Sequence, residues 1–316
     1  MKIAIYGAGS TGCFLGGLLA QQGCDVTFIA RPATLSTIED NGGVTLTNYA
    51  GLKIKVKPSG LLSKIDNVIY DVVFVMVKCH ALESIVGELN SMTNQHSVIV
   101  FMQNGLGWYD HIAQQLSDRE LVKGITTFNV VADKAHYHQS TEGCFIFENV
   151  PELRFLADKG VFNNQEYFVL TDEINSVIYG KLLLNLNNAL NAVAKKPIKA
   201  CLEDRHYRRR LAAAMDEWLA VCQAFKVKPY QFTKVAPHTV PKILRLPNWL
   251  FKLLASSMLA IDPTARSSMS DDVTNKRKTE VDYINGAVVQ LAEQCELLSP
   301  VNESIVEQLH DIENSY

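Results

Sequence analysis

The sequence predicts an α/β doubly wound sheet followed by an all-α C-terminal domain, and three observations support this fold class. The chain has 316 residues, which exceeds one ordinary hydrophobic core and favours two domains. In the first half, short β-rich runs alternate with helical patterns, as in a parallel sheet wound by helices. After about residue 170 the strand signals nearly vanish and long helical periodicity begins. We therefore predict one domain over residues 1–171 and a second over residues 172–316.

The first half supplies the elements of the predicted sheet. Apolar and β-branched runs predict strands at Lys2–Tyr6, Asp25–Ala30, Val72–Val77, Ser97–Met102 and Leu121–Thr126. A helical pattern, Ser10–Gln22, lies between the first two strands. Gly43–Lys57 alternates apolar and polar residues around Asn48–Gly51, which predicts a β-hairpin.

The second half is helical. Its three strongest helical patterns are Ile174–Ala194, Arg205–Phe225 and Glu280–Glu296. Between the last two, five prolines within Pro229–Pro263 predict short, broken elements. Part of that stretch, Ile243–Met258, is rich in large apolar residues. Packing against its own domain is the favoured interpretation, with an oligomer contact, as in a homodimer, or a membrane-surface helix as alternatives.

The composition argues against several classes of protein. The 30 Lys+Arg and 33 Asp+Glu leave a net charge of −3, whereas nucleic-acid binders need positive surfaces. No apolar run approaches the roughly 20 residues of a membrane span, and a Gly-rich turn stands where a signal peptide would need its apolar region. Seven scattered cysteines without a C-x-x-C pair argue against a disulfide framework or a zinc site. We expect a cytoplasmic protein without metal, membrane or nucleic-acid partners.

A glycine-rich turn follows the first predicted strand. The residues Gly7–Gly12 read G-x-G-x-x-G and open the first helix, the context of a Rossmann-type dinucleotide site. There the first glycine permits a tight turn, the second lets the backbone approach a pyrophosphate, and the third permits close helix–strand packing. Free N–H groups at the helix start bind the phosphates. The predicted cofactor-binding residues of this turn are Gly7, Gly9, Ser10, Thr11 and Gly12.

The end of the second strand indicates which dinucleotide binds. An NAD site usually places an acid there to bind the ribose hydroxyls, but this chain has Phe28–Arg31 with no acid. A guanidinium pairs with a 2′-phosphate and stacks on adenine. The alternative is a solvated arginine at a strand end. We predict NADP(H) as the cofactor.

One helix of the second domain carries a polar stripe. At about 100° per residue, Lys181, Asn185 and Asn188 fall within roughly 60° of one another on a helix otherwise rich in Leu and Ala. A lysine with two amides suits a reducing site, because all three donate hydrogen bonds to a carbonyl substrate. The alternative is a lysine that snorkels to water.

Six short motifs occur in one order along nearly the whole chain. They are Gly7–Gly12, Val77–Cys79, Gln103–Gly105, Lys181-x-x-x-Asn185, Ser267–Met269 and Glu280-x-Asp282-Tyr283-x-Asn285-Gly286. Together they make the chain resemble the ketopantoate reductase (2-dehydropantoate 2-reductase) family. The resemblance implies NADPH-dependent reduction of a 2-oxoacid, with 2-dehydropantoate as the expected substrate, as in pantothenate and coenzyme A biosynthesis.

The resemblance also implies roles for single residues. Lys181 matches the catalytic lysine of the family, and Glu280 matches the acid that supports it and favours its charged form. Asn185 and Ser268 match substrate-holding positions. Three further residues match cofactor positions, of which the first two lie beside the nicotinamide half and the last binds the 2′-phosphate: Lys78, Asn104 and Arg31.

The chain departs from the family pattern in its substrate half. Ala189 stands where a second substrate asparagine is common, and Asn188 or Asn191 substitutes for it, with Asn188 on the better face. Ala265–Arg266 replaces an asparagine and a hydrophobic residue. Two alternatives therefore stay open: a reductase of another 2-oxoacid on the same fold, and a non-catalytic NADP-sensing protein.

Overall fold

The computed structural model describes residues 1–162, 165–254 and 264–316. The chain forms two compact units. The first comprises Met1–Gln103 and Trp108–Ile174, and the second comprises Asn104–Gly107 and Asn175–Tyr316. The division after Ile174 lies three residues beyond the boundary expected from the sequence.

The first unit contains all the strands that the described residues form. In chain order they are β1 (Lys2–Tyr6), β2 (Asp25–Ile29), β3 (Val44–Asn48), β4 (Lys53–Val56), β5 (Gly60–Leu62), β6 (Val72–Val75), β7 (Val98–Phe101), β8 (Glu120–Thr126), β9 (Val130–Asp133), β10 (His136–Gln139), β11 (Phe145–Glu148), β12 (Val161–Phe162), β13 (Gln165–Glu166) and β14 (Phe168–Thr171). Its helices are α1 (Ser10–Gln21), α2 (Pro32–Asp40), α3 (Leu82–Met92), α4 (Tyr109–Gln115) and α5 (Phe155–Lys159).

The main sheet has the strand order β14-β11-β8-β7-β6-β1-β2-β5. From β5 to β8 all neighbours are parallel, and β11 pairs antiparallel with β8. Strand β1 is central: β2, which follows it in the chain, pairs on one side of it, and β6, which comes later, pairs on the other side. Ligands of open α/β sheets bind at such a reversal, beyond the carboxyl ends of the strands. The predicted α/β sheet is confirmed.

Helix α1 packs between the main sheet and a second, four-stranded sheet with the order β4-β3-β10-β9. Strands β3 and β4 pair antiparallel, which confirms the predicted hairpin. A Cβ on Gly17 of α1 would lie 2.9 Å from Leu46 and 3.0 Å from Val44. The small residue thus lets α1 lie close against the buried face of this sheet and fixes the helix behind the glycine-rich turn.

The second unit is built from helices, and its described residues form no strand, in agreement with the predicted all-α class. The helices are α6 (Ile174–Ala194), α7 (Ile198–Glu203), α8 (Arg205–Ala224), α9 (Val240–Leu244), α10 (Asn248–Leu254), α11 (Ser268–Thr274), α12 (Val281–Gln294) and α13 (Pro300–Glu313). Their shared core contains Leu186, Trp218 and Val288, all fully buried. The three helices predicted for this half begin and end within two residues of the observed bounds.

The apolar segment Ile243–Met258 is only partly buried, and its residues 255–258 lie outside the described part of the chain. Leu244 and Phe251 are fully buried, but Trp249, Leu253 and Leu254 are 71%, 69% and 59% exposed. Packing of the whole segment within its own domain, the favoured interpretation, is therefore wrong for α10. This helix has seven residues, so one face reaches the core while the other faces outward. A homodimer contact at that face stays a prediction.

Arg208 explains how the same segment is held. Its guanidinium is fully buried and donates to the carbonyl oxygens of Leu202 (2.8 Å), Leu244 (3.0 Å) and Leu246 (2.9 Å). It also lies 4.1 Å from the ring centre of Phe251. The positive charge meets the carbonyl ends of α7 and α9, where cations are stabilised.

Two findings bear on the environment of the chain. All seven cysteines are free thiols. Within the three described ranges, no helix combines the length and the hydropathy that crossing a membrane requires. A cytoplasmic location stays a prediction.

Candidate functional site

The glycine-rich turn begins with a residue that only glycine suits. Gly7 has φ +85°, and a Cβ there would lie 2.6 Å from Val77 Cγ1. A Cβ on Gly12 would lie 3.1 Å from Ile5 Cγ2 and 3.2 Å from the carbonyl oxygen of Gly7. The turn therefore reverses tightly and brings α1 against β1, as the first and third positions of the motif require.

Gly9 leaves an open cradle at the start of α1. It is exposed, and a Cβ there would meet nothing closer than the carbonyl oxygen of Gly7, at 3.9 Å. None of the described side chains caps α1, and its first turn has no acid. The N–H groups of Ser10, Thr11 and Gly12 lack intrahelical acceptors and carry the positive end of the helix dipole. This space and these donors fit the phosphates of a dinucleotide.

Arg31 lies beside the same turn. The carbonyl oxygen of Ile29, the last residue of β2, accepts N–H bonds from Gly7 (2.9 Å) and Ala8 (3.1 Å), so the turn is tied to the strand end. Arg31 follows two residues later, is exposed and precedes the first turn of α2. The position fits a ligand of a 2′-phosphate.

The ends of β6 and β7 complete the carboxyl edge near the turn. Lys78 follows β6 and precedes a short 3₁₀ helix. Gln103, only 4% exposed, donates from Nε2 to the carbonyl oxygens of Val75 (3.0 Å) and Val77 (2.9 Å). Its Oε1 is buried and, among the described residues, has no donor. The sequence analysis assigned no role to Gln103, although it precedes Asn104 in the Gln103–Gly105 motif.

Lys181 is the central residue of the second unit's polar stripe. It lies on α6 and is half-buried. Among the described residues, no hydrogen bond or ion pair involves its ammonium, and burial is the one cause of its pKa shift. Burial lowers the pKa of its ammonium from 10.5 to about 8, because desolvation disfavours the charged form. An unpaired lysine with a pKa near neutrality is suited to donate a proton.

The cause of the lowered pKa of Lys181 bears on the role predicted for Glu280. Burial is the cause of the lowered pKa of the Lys181 ammonium. Glu280 is half-buried and stands immediately before α12, where its carbonyl oxygen accepts the Tyr283 N–H at 3.1 Å. Its role in supporting Lys181 stays a prediction.

Three side-chain amides lie next to one another on this unit. Asn185, one turn beyond Lys181 on α6, donates from Nδ2 to Asn104 Oδ1 at 3.4 Å. Its Oδ1 accepts from Asn188 Nδ2, also at 3.4 Å. The structure thus brings together the predicted substrate residues Asn185 and Asn188 and the predicted nicotinamide-side residue Asn104.

Asn191 is engaged elsewhere. It is fully buried, donates to the Lys196 carbonyl oxygen at 2.8 Å and accepts the Ser267 N–H at 3.0 Å. Both bonds join backbone segments, so Asn191 has a structural role. Of the two candidates for the second asparagine, Asn188 is the accessible one.

The two serines of the Ser-Ser-Met motif differ in environment. Ser268, the predicted substrate residue, is exposed at the first position of α11. Ser267 is buried, accepts the Ser270 N–H at 3.1 Å and donates to the Asn188 carbonyl oxygen at 3.0 Å. Ser267, which sequence reasoning did not assign, therefore caps α11 and attaches it to the helix of Lys181.

Comparison with known families bears on both units. Residues 3–152 match the model of the ketopantoate reductase PanE/ApbA family, and residues 173–313 match the model of its C-terminal domain. The chain belongs to the ketopantoate reductase PanE/ApbA family. It is accordingly an NADP-dependent oxidoreductase that acts on a CH–OH group, as the resemblance of the motifs implied.

Individual proteins resemble this PanE/ApbA family member in sequence or in structure. A 2-dehydropantoate 2-reductase of Pyrococcus abyssi is 28% identical over 96% of this chain and 94% of the relative. A PanE/ApbA family ketopantoate reductase from Ralstonia eutropha JMP134 has a TM-score of 0.82 at 23% identity, covering 100% and 99% of the two chains. D-Mandelate dehydrogenase, solved with NADH and anilino(oxo)acetate, has a TM-score of 0.78 at 22% identity, covering 100% and 99%.

Proposed function

We propose that this family member is an NADPH-dependent reductase of a 2-oxoacid, with 2-dehydropantoate as substrate and pantoate as product, in pantothenate biosynthesis. The observation that carries the proposal is the Lys181 ammonium, which is half-buried, has no partner among the described residues and has a pKa of about 8. It shares one helix face with Asn185 and Asn188. Burying a charge without a partner is unfavourable for folding, so its presence favours a role in chemistry. The 2-dehydropantoate 2-reductase of Pyrococcus abyssi supports the choice of substrate.

The residues of each unit take separate parts in this proposal. Bound NADPH supplies a hydride to the carbonyl carbon of the oxoacid. The glycine-rich turn, Arg31 and Lys78 hold the cofactor. Lys181 donates a hydrogen bond to the carbonyl oxygen, stabilises the negative charge that grows there and delivers the proton. Its lowered pKa makes it a stronger acid than an exposed lysine, which favours that transfer.

The remaining predicted residues orient the substrate. Asn188, whose Nδ2 already donates to Asn185, keeps its Oδ1 for a substrate hydroxyl. Ser268 presents an exposed hydroxyl one residue beyond the buried Ser267, which fixes its position. Glu280 holds Lys181 in place during the reaction.

A different 2-oxoacid is the second candidate substrate. Ala189 removes an amide that many family members use, and the structural similarity to D-mandelate dehydrogenase shows that the fold also serves an aromatic hydroxyacid. Phenylglyoxylate, the oxoacid that corresponds to mandelate, therefore belongs in any substrate panel. A purely NADP-sensing protein is less well supported, because it would have no use for the buried cation of Lys181.

The test is NADPH oxidation, followed by absorbance, with a panel of 2-oxoacids that includes 2-dehydropantoate and phenylglyoxylate. We expect the highest kcat/KM with 2-dehydropantoate. A higher kcat/KM with another oxoacid would favour the second candidate. No turnover with any 2-oxoacid, in protein that binds NADPH, would contradict both.

Arg31→Ala is expected to weaken NADPH binding roughly tenfold to a hundredfold, with NADH affinity nearly unchanged. Loss of a charge-assisted contact to the 2′-phosphate costs about 1.5–3 kcal/mol, which corresponds to that range in affinity. Fluorescence titration of both cofactors measures the change. Arg209→Ala, at an exposed position of α8, is the matched control. Equal wild-type affinity for NADPH and NADH would contradict the assignment.

A further inference from the structure

The segment Asn104–Gly107 follows β7 in the chain but groups with the helical unit. It is held there by a backbone bond: the Leu106 N–H donates to the carbonyl oxygen of Tyr283, in the first turn of α12, at 2.8 Å. The next residue, Gly107, has φ +87°. The segment is thus a compact turn fixed against the start of one helix.

Gly105 makes this close approach possible. Its φ is +84°, a conformation that favours glycine. A Cβ on Gly105 would lie well inside the van der Waals radius of the Tyr283 carbonyl oxygen and 3.1 Å from Tyr283 Cβ. The obstacle is helix backbone, which cannot rotate away as a flexible side chain does. Any side chain at residue 105 must therefore push the turn off α12.

Displacing the turn moves Asn104, the residue before Gly105. Its Oδ1 accepts the 3.4 Å bond from Asn185 on α6, one turn from Lys181. At 3.4 Å that contact is longer than the usual ~2.7–3.2 Å of an N–H···O hydrogen bond, so a small displacement of the turn is enough to break it. The position of Asn104 relative to Asn185 thus depends on the contact between Gly105 and Tyr283.

We propose that Gly105 is a positioning residue for the reaction, which acts by holding the amide of Asn104 beside Asn185. This proposal rests on the proposed function, because that function places Asn104 at the nicotinamide and Asn185 at the substrate. Gly105 itself touches neither. Its contribution is the shape of the backbone, which no other residue reproduces.

The experiment compares Gly105→Ala with Gly107→Ala. Both residues have φ near +85°, so both variants carry similar backbone strain. A Cβ on Gly107 meets only Gln290 Oε1, at 3.5 Å, so Gly107→Ala tests strain without the clash. We expect Gly105→Ala to lower kcat at least ~10-fold, because small misplacements near the reacting groups reduce rates by up to about 10². Gly107→Ala is expected to stay within about twofold of wild type, since it moves none of the reacting groups.

Binding measurements separate positioning from general damage. Adenosine 2′,5′-bisphosphate carries the adenosine and the 2′-phosphate of the cofactor but no nicotinamide, so it reports on the adenosine part of the cofactor site alone. Its affinity is expected to be unchanged in Gly105→Ala, while kcat and the affinity for NADPH fall. Equal loss of affinity for both ligands would indicate unfolding of the cofactor site and overturn the proposal.

A double-mutant cycle with Asn104→Ala tests whether Gly105 acts through Asn104. If Gly105 acts through Asn104, then Asn104→Ala/Gly105→Ala is no slower than Asn104→Ala alone. Additive losses, or equal activity of Gly105→Ala and Gly107→Ala, would overturn the proposal while the wild type still turns over. If the wild type turned over no 2-oxoacid, the proposed function itself would be overturned. The role of Gly105 in the reaction would then be overturned as well.

Discussion

Replacing Lys181 with methionine is expected to lower kcat by about 10² or more and to raise the melting temperature. The rate falls because the substrate loses the donor that stabilises its oxyanion and delivers its proton. The stability rises because the wild type buries an ammonium whose pKa is lowered to about 8 by burial alone. Methionine fills a similar volume without that desolvation penalty. Stability and activity are thus expected to change in opposite directions at one residue.

The pH dependence follows from the direction of the pKa change. Because the protonated lysine is the acid, kcat should fall as pH rises through about 8. An unfolded lysine keeps its proton up to about 10.4, so the penalty of burying the charge is fully present below pH 8. The penalty decreases as pH rises above 8, where the folded protein releases the proton and the unfolded chain does not. The gap in melting temperature between Lys181→Met and wild type should therefore be widest below pH 8 and narrow towards pH 10.

Steady-state kinetics, NADPH titration and calorimetry from pH 6 to 10 measure these effects. NADPH affinity should be nearly unchanged, because the phosphate-binding turn lies in the first unit. Lys181→Arg should not restore the rate, since a guanidinium is a poor proton donor of another shape. Glu280→Gln should be milder if the acid only positions the lysine. A Lys181→Met enzyme with near wild-type turnover would show that the polar stripe is structural.

The elements that sequence reasoning predicted well have local patterns that their surroundings reinforce. Strand β1 is buried along nearly all its length, so its continuous apolar run marks a central parallel strand. Helix α6 begins and ends at the predicted residues, and its stripe of Lys181, Asn185 and Asn188 follows from helical period alone. These features depend on the chain within a few turns.

The features that sequence reasoning missed depend on contacts between distant segments. Ser267 and Ser268 are adjacent and chemically identical, and only the bond from Ser267 to the Asn188 carbonyl oxygen shows which one is buried. Gln103 gains its significance from carbonyl groups on another strand. The pKa of Lys181 is lowered by burial in the surrounding fold, which no local sequence pattern shows. The exposure of Trp249 likewise reflects which face of a short helix reaches the core.

Gly9→Asp is expected to reduce NADPH affinity at least ~100-fold and to leave the fold intact. The residue has φ −84° and ψ −160°, a conformation open to any amino acid, and its Cβ would point into open space. Aspartate is moreover a favoured residue at a helix start, so stability should not fall. Its carboxylate would occupy the cradle and repel the phosphates, removing contacts that are each worth about 1.5–3 kcal/mol.

Gly16→Ala, on the same helix, is the matched control, and its expected effects on stability and affinity are the reverse of those of Gly9→Asp. A Cβ there would collide with the ring of Phe28 and lie 2.8 Å from Ile5 Cγ1, so this variant should lose stability while its folded fraction still binds NADPH. Isothermal titration gives the affinities, and thermal unfolding gives the stabilities. Gly9→Ala, which adds bulk without charge, should fall between Gly9→Asp and wild type in affinity. If Gly9→Asp bound NADPH as tightly as wild type, the phosphates would not lie at the start of α1, and the cradle at Gly9 would have another explanation.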